Sequence, residues 1–214
     1  MLATAGDGAA IWYDHSPGPR PVLFLHGFAS DHAQTWVRTG WTRPVSELGH
    51  VLVDLRGHGS SARATSGYSP DDLALDALAV LDAAEVESVD VVAYSMGGHV
   101  GWALARLAPQ RVGRLVLGGI GGGPVDRENM LRVREALSGD QPDACVEGMS
   151  GHLLDGPPPA PALFAAGDRD EIAGDVGGFA ARLGAPFVPL GGRNHLNAVS
   201  SRAFKTAALE FLGG

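Results

Sequence analysis

The stretch Val91-Val92-Ala93-Tyr94-Ser95-Met96-Gly97-Gly98 decides how this chain is read. Residues 89–93, apolar apart from Asp90, have strand length, and Val100, Leu104, Leu107 and Ala108 follow at helical spacing. A strand that turns sharply into a helix drives its apex residue toward positive φ, a costly conformation for anything but glycine. Such a turn closes only when the positions two before and two after the apex carry almost no side chain, and Ala93 and Gly97 meet that condition. The turn pushes the Ser95 hydroxyl out at the sheet edge, within reach of a base on another loop. The strict pattern has glycine at both small positions, and here the first is alanine. The pentapeptide alone therefore leaves two readings open, an activated serine and an ordinary strand–turn–helix with an exposed serine.

Composition narrows the field. With 214 residues, 45% hydrophobic and 19% charged, the chain reads as a single globular domain. No run approaches the roughly 18 apolar residues of a membrane helix, and residues 1–10 lack the basic and apolar regions of a secretory leader. The net charge of −8 opposes nucleic acid and anionic membrane as partners. The single cysteine, Cys145, allows no internal disulfide and fits a reducing cytoplasm; it is expected as a small half-buried side chain, not a catalytic thiol. The 31 glycines and 14 prolines cluster at expected loops without an internal period.

The remaining pattern alternates strands and helices. Residues 2–4 and 9–15 read as a short hairpin, 21–25 and 51–53 as buried strands, and 31–48 as a helix with irregular ends that contains Trp36 and Trp41. Ser69-Pro70-Asp71-Asp72 opens a helix, with Ser69 as N-cap and Asp72 at the capping-box position. Strands follow at 114–118, 161–166 and 185–190, and a last helix carries Ala203, Phe204, Ala207, Ala208 and Phe211. Residues 121–160 break the rhythm with two weak helical patterns, one through Met130, Val133 and Leu137, the other through Cys145, Met149 and Leu153. The expected fold is α/β, a mostly parallel doubly wound sheet with ligand chemistry beyond the carboxyl ends of its strands. The polar clusters all fall at those ends.

A serine hydroxyl is a weak nucleophile without a base, and His195, after the last strand, is the leading candidate. An imidazole in that role needs a carboxylate to hold its tautomer, and Asp168 and Asp170 both follow the preceding strand. His26 and His58 sit in turns where histidine braces loops by hydrogen bonding. His99, one turn after Ser95, fits the helix surface or the rim of a pocket. No histidines or carboxylates have metal-ligand spacing, so no metal is expected. Gly118-Gly119-Ile120-Gly121-Gly122-Gly123 has the glycine density of a dinucleotide loop, yet Pro124 occupies the third glycine position, and no Lys-Ser/Thr follows a glycine loop. No cofactor is expected.

Five segments taken together resemble the α/β-hydrolase superfamily: Phe24-Leu25-His26-Gly27-Phe28, residues 54–61 (Asp54-Leu55-Arg56-Gly57-His58-Gly59-Ser60-Ser61), Tyr94-Ser95-Met96-Gly97-Gly98, Gly167-Asp168-Arg169-Asp170 and Asn194-His195. The resemblance covers about residues 8 to 212. It implies a catalytic triad of Ser95 as nucleophile, His195 as base and Asp170 as acid, the last from its place in a Gly-x-x-Asp string. Asp168 is then a loop former or ion-pair partner of Arg169, and Asp126 a more remote option for the acid. It also implies an oxyanion hole from the backbone N–H groups of Met96 and Phe28, with His26, Gly27 and Tyr94 beside the substrate pocket. The expected activity is hydrolysis of a small carboxylic ester, thioester or lactone through an acyl-enzyme. Two alternatives share the same residues, cofactor-free perhydrolase or haloperoxidase-like chemistry and a non-catalytic ligand-binding relative. Relatives usually insert a lid after the sixth strand; here residues 121–159 have room for about two short helices, which predicts a reduced cap and an open cleft.

Overall fold

The structure, a computed structural model, describes residues 1–213. Eight strands form one sheet: β1 (Leu2–Thr4), β2 (Ala10–Ser16), β3 (Val22–Leu25), β4 (His50–Val53), β5 (Val89–Tyr94), β6 (Val112–Gly118), β7 (Ala162–Gly167) and β8 (Phe187–Leu190). Their order is β1-β2-β4-β3-β5-β6-β7-β8. The β1–β2 and β2–β4 pairings are antiparallel, and every other pairing is parallel. Chain direction across the sheet reverses at β3, which lies between β4 and β5. Open α/β sheets leave a crevice at such a reversal, beyond the carboxyl ends of the strands. The loops after β3 and β5 meet there.

The central strands are mostly apolar because they serve two cores, with Asp90 and Arg114 near their amino ends. Leu23, Leu25, Val91, Ala93, Leu115 and Leu117 point into one, and Val22, Phe24, Val92, Tyr94 and Val116 into the other. The first core is closed by α1 (Pro70–Ala83), α2 (Met96–Leu107), α3 (Arg127–Ala136), α4 (Asp143–Met149) and α5 (Val176–Arg182). The second is closed by α6 (Arg202–Gly213) and by Trp36 and Trp41. At the start of α1 the Ser69 hydroxyl accepts from the Asp72 N–H at 3.2 Å, and the Asp72 carboxylate accepts from the Ser69 N–H at 3.1 Å. Two orphan amides are thereby satisfied.

Two segments differ from the sequence pattern. Residues 31–48 form no long helix: only Ala33–Val37 is helical, as a single wide turn. Gly40 at φ +77° breaks the helical path, and Trp36 and Trp41 are instead buried by a run of turns, with the Trp41 indole N–H donating to the Val199 carbonyl at 2.8 Å. Conversely, α5 carries Gly177 and Gly178 in its first turn, so its sequence does not advertise a helix. The Asp175 side chain caps it by accepting from the Gly178 N–H at 2.8 Å. Cys145, expected to be half-buried, is fully buried, and burial pushes its thiol up to about 12. No helix among the described residues is long and apolar enough to cross a membrane.

The turn from β5 into α2 leaves no room at one position. A Cβ on Gly97 would lie 2.1 Å from the Leu25 carbonyl oxygen, a backbone atom that cannot swing aside. Gly123 has nothing within 4 Å of the same atom. Gly97→Ala is expected to lower stability by about 1–3 kcal/mol or more and Gly123→Ala to leave it nearly unchanged, measured by urea denaturation. Equal midpoints for the two variants would contradict the tight-turn account.

Candidate active site

Ser95 sits at the apex of that turn with φ 51° and ψ −119°, a strained backbone for a serine. Its N–H donates to the Gly118 carbonyl at 2.8 Å and its carbonyl accepts from the Gly98 N–H at 2.8 Å, so strand β6 and helix α2 both hold the strain in place. The side chain remains partly exposed, above the start of α2.

The loops after β7 and β8 come to meet it. Their backbones touch at Gly167, where a Cβ would lie 2.0 Å from the Arg193 carbonyl oxygen, and the Arg169 N–H donates to that same oxygen at 3.0 Å. This contact sets Asp170 against His195. Both Asp170 carboxylate oxygens lie 3.0 Å from His195 Nδ1, and His195 Nε2 lies 2.9 Å from Ser95 Oγ. Burial by itself would raise the Asp170 carboxyl. The hydrogen bond and charge of His195 and the N–H groups of Ala173 and Ile172 outweigh it and hold the group below the usual carboxylate range. The Tyr94 hydroxyl, buried under the sheet rim, donates to the His195 carbonyl at 2.6 Å and pins the loop from the other side.

Asp168 is exposed. Asp126 caps α3, accepting from the Asn129 N–H at 2.7 Å, and lies in the wall of the cavity described below. Of the three acidic candidates, Asp170 is the one in contact with the imidazole.

The turn after β3 contributes Gly27 and Phe28. Gly27 passes 3.5 Å (built Cβ to Ser95 Cβ) from the serine. Among the described residues, neither the Phe28 N–H nor the Met96 N–H has a protein acceptor, and the latter is the first orphan amide of α2. His26 does not line the pocket as its placement beside Gly27 and Tyr94 implied, and instead braces its loop by hydrogen bonding, the other role read for it. It is fully buried, its Nδ1–H donating to the Gly27 carbonyl at 2.8 Å and its Nε2 accepting from the Leu55 N–H at 3.0 Å. His58 is its counterpart, donating to the Arg56 carbonyl at 3.0 Å and accepting from the Ala29 N–H at 3.2 Å. The two rings pack edge to face at 5.1 Å. Together they stitch the 26–29 turn to the 54–61 loop.

Two recesses open at Ser95, and Phe28, Ser95, Val133 and His195 border both. The larger, about 440 Å³, runs under α3 and α4, where Met130 and Met149 face it, and past the glycine run after β6. Those glycines have a packing reason: a Cβ on Gly122 would meet the Phe179 ring at 2.3 Å, and one on Gly121 the Ala173 carbonyl at 2.4 Å. The smaller, about 250 Å³, is bordered by Gly27 and Tyr94 together with Thr35, Leu137, Leu196 and Val199. Sequence reasoning did not find the cavity walls supplied by α3, α4, α5 and the 196–200 segment. The weak pattern through Met130 and Val133 was the one signal available. Among the described residues, no group of three or more histidine, cysteine or acidic side chains could hold a metal.

Comparison with known proteins places this geometry in a context. The sequence profile of a family described as the alpha/beta hydrolase fold matches residues 20–144. A rhodomycin D methylesterase of Streptomyces sp. (strain C5) is 33% identical over 156 residues, which cover 70% of this chain and 51% of that protein. A 2-hydroxy-6-oxononadienedioate/2-hydroxy-6-oxononatrienedioate hydrolase of Cupriavidus pinatubonensis (strain JMP 134 / LMG 1197) is 37% identical over 121 residues, covering 52% of this chain and 40% of that one. The match thus spans about half the length of these relatives or less. Among solved structures, the enol-lactonase from Burkholderia xenovorans LB400 aligns with a TM-score of 0.83 at 18% identity, covering 100% of both chains. At that identity the likeness speaks for the fold alone.

Burial holds both His26 and His58 neutral, with His58 pushed down to about 3 by desolvation and by the neighbouring His26 ring. An unfolded imidazole binds its proton near 6.5. Between about 3 and 6.5 the unfolded His58 therefore carries more protons than the folded one, and stability falls as pH falls, by up to about 1.4 kcal/mol per unit, with His26 acting in the same direction. Urea midpoints measured from pH 7 to pH 5 are expected to drop steadily, above the range where carboxylates titrate. A flat profile would mean that these rings are not held neutral.

Proposed function

From the premise that this chain belongs to the α/β-hydrolase fold family, we propose that it is a serine hydrolase cleaving a small carboxylic ester, thioester or lactone through an acyl-enzyme. The observation that carries the reading is the 2.9 Å contact between Ser95 Oγ and His195 Nε2, with the Asp170 carboxylate 3.0 Å from the opposite ring nitrogen. That arrangement gives the hydroxyl a base and gives the base a partner for the charge it acquires.

The chemistry follows from the groups present. Asp170 accepts from Nδ1–H, which leaves Nε2 with its lone pair toward Ser95. As Oγ attacks the substrate carbonyl carbon, its proton passes to Nε2, and the carbonyl π electrons move onto oxygen. The N–H groups of Met96 and Phe28 receive that oxyanion; fixed donors of this kind are worth roughly 10²–10³ in rate each. The imidazolium then protonates the leaving alcohol, thiol or ring oxygen as its bond to carbon breaks. Water, deprotonated by Nε2, attacks the acyl-enzyme and returns the hydroxyl to Ser95. The two recesses at Ser95 suit the two halves of an ester, and the named activities of the similar methylesterase support the substrate class. Tyr94 acts as a positioning residue through the His195 carbonyl. A small-molecule substrate and a reducing cytoplasm, the latter from the single cysteine, complete the reading.

A panel of nitrophenyl esters of graded chain length tests it. Ser95→Ala and His195→Ala are each expected to lower kcat by about 10⁶-fold, and Asp170→Asn by about 10⁴-fold. Turnover undiminished in Ser95→Ala would refute the assignment.

A further inference from the structure

One imidazole in the wall of the larger cavity has no part in this chemistry. His99 lies on α2, four residues after Ser95, and lines the same cavity as the Ser95 side chain. It is 7% exposed, lines the cavity, and has no hydrogen-bond partner among the described residues. His26 and His58, by contrast, have both ring nitrogens engaged. Burial and the nearby His152 push the His99 imidazole down to about 4, so near neutral pH it offers one N–H donor and one bare acceptor nitrogen.

Met96, Ile120, Met130 and Met149 line the same cavity, with Asp126, Asn129 and Asp175 also at its border, and the His99 donor and acceptor face it without a protein partner among the described residues. Binding a wholly apolar group over this imidazole would strip its water and return nothing, at the cost of an unpaired buried polar group. An occupant with an oxygen at that point regains the bond. The charge of that oxygen is also constrained. Asp126 and Asp175 border the cavity, and the one lining cation, Arg182, is exposed and stands over the Phe179 ring at 5.8 Å. A carboxylate beside His99 would be buried without a counter-charge.

We propose that His99 is a specificity-determining residue, and that the half of the substrate seated in the larger cavity carries a neutral keto or hydroxyl oxygen a few carbons from the scissile carbonyl. The inference rests on the ester-hydrolase reading of Ser95. It narrows the substrate class to oxygen-substituted esters.

Matched ester pairs test it, each with a methyl-branched carbon in place of the ketone: nitrophenyl levulinate against nitrophenyl isocaproate for the acyl half, acetopropyl acetate against isohexyl acetate for the alcohol half. In one pair the wild-type enzyme is expected to favour the ketone by about tenfold or more in kcat/KM. His99→Phe should erase that preference by slowing the ketone ester and leaving the branched one unchanged or faster, while His99→Gln, which keeps a donor and an acceptor, should retain it. Absence of any preference in the wild type overturns the proposal without recourse to a variant, and so does an equal loss on both esters in His99→Phe. Ser95-dependent hydrolysis without a ketone preference defeats only the role of His99. Failure to hydrolyse any of the four esters, with Ser95→Ala indistinguishable from wild type, defeats the hydrolase reading itself.

Discussion

A serine held at φ 51° is the constraint from which the rest of the molecule follows. The conformation is unfavourable for any residue with a Cβ, and it persists because its surroundings over-determine it. Gly97 lets α2 start directly against the end of β3, and the carbonyl of Gly118 ties the serine amide to β6. The sheet order then matters chemically. With β3 beside β5, the turn carrying Phe28 is delivered next to the serine, and β6, β7 and β8 follow outward so that the Asp170 and His195 loops approach from the other side. A fold that stacked the same strands in another order would scatter these groups.

Electrostatics at the site divides along burial. His26 and His58 are enclosed on all sides and serve as neutral rigid braces, each with one nitrogen donating and one accepting. His195 differs because a carboxylate faces it. Asp170 stays ionised in a buried position because three donors compensate its lost hydration, two of them backbone amides of its own loop. A residue in that loop is thus tuned by its neighbours' backbone as much as by its partner. The contact at Gly167 governs the alignment: its missing side chain is what allows the two loops to touch.

Much of this was legible in the sequence. The apolar runs at 22–25 and 91–93 announce strands buried on both faces, since each alternates between two cores, and the Ser69–Asp72 cap marks its helix unambiguously. Ser95 and His195 could be picked out because strand ends concentrate polar residues between apolar runs, whereas the choice of Asp170 over Asp168 came from the resemblance to the α/β-hydrolase superfamily. What stayed hidden depends on tertiary packing. Residues 31–48 read as a helix with irregular ends, but Gly40 and the burial of Trp36 and Trp41 make the segment a chain of turns. Helix α5 is too glycine-rich to show itself. His26 reads from its motif both as a loop brace and as a neighbour of the pocket, and its contact with the Leu55 N–H makes it the former. For His99 the helical position alone left surface and pocket equally open. The answer came from α3 and α4, which enclose the space that His99 borders.

The central claim is that the hydroxyl at this strained apex is chemically activated by the imidazole and carboxylate aligned behind it. Peptide mass spectrometry after exposure to a fluorophosphonate measures that most directly. The account predicts a single adduct on Ser95, formed much more slowly when Asp170 is replaced by asparagine. A folded protein that takes up no adduct at Ser95, or one whose labelling rate ignores Asp170, would contradict it.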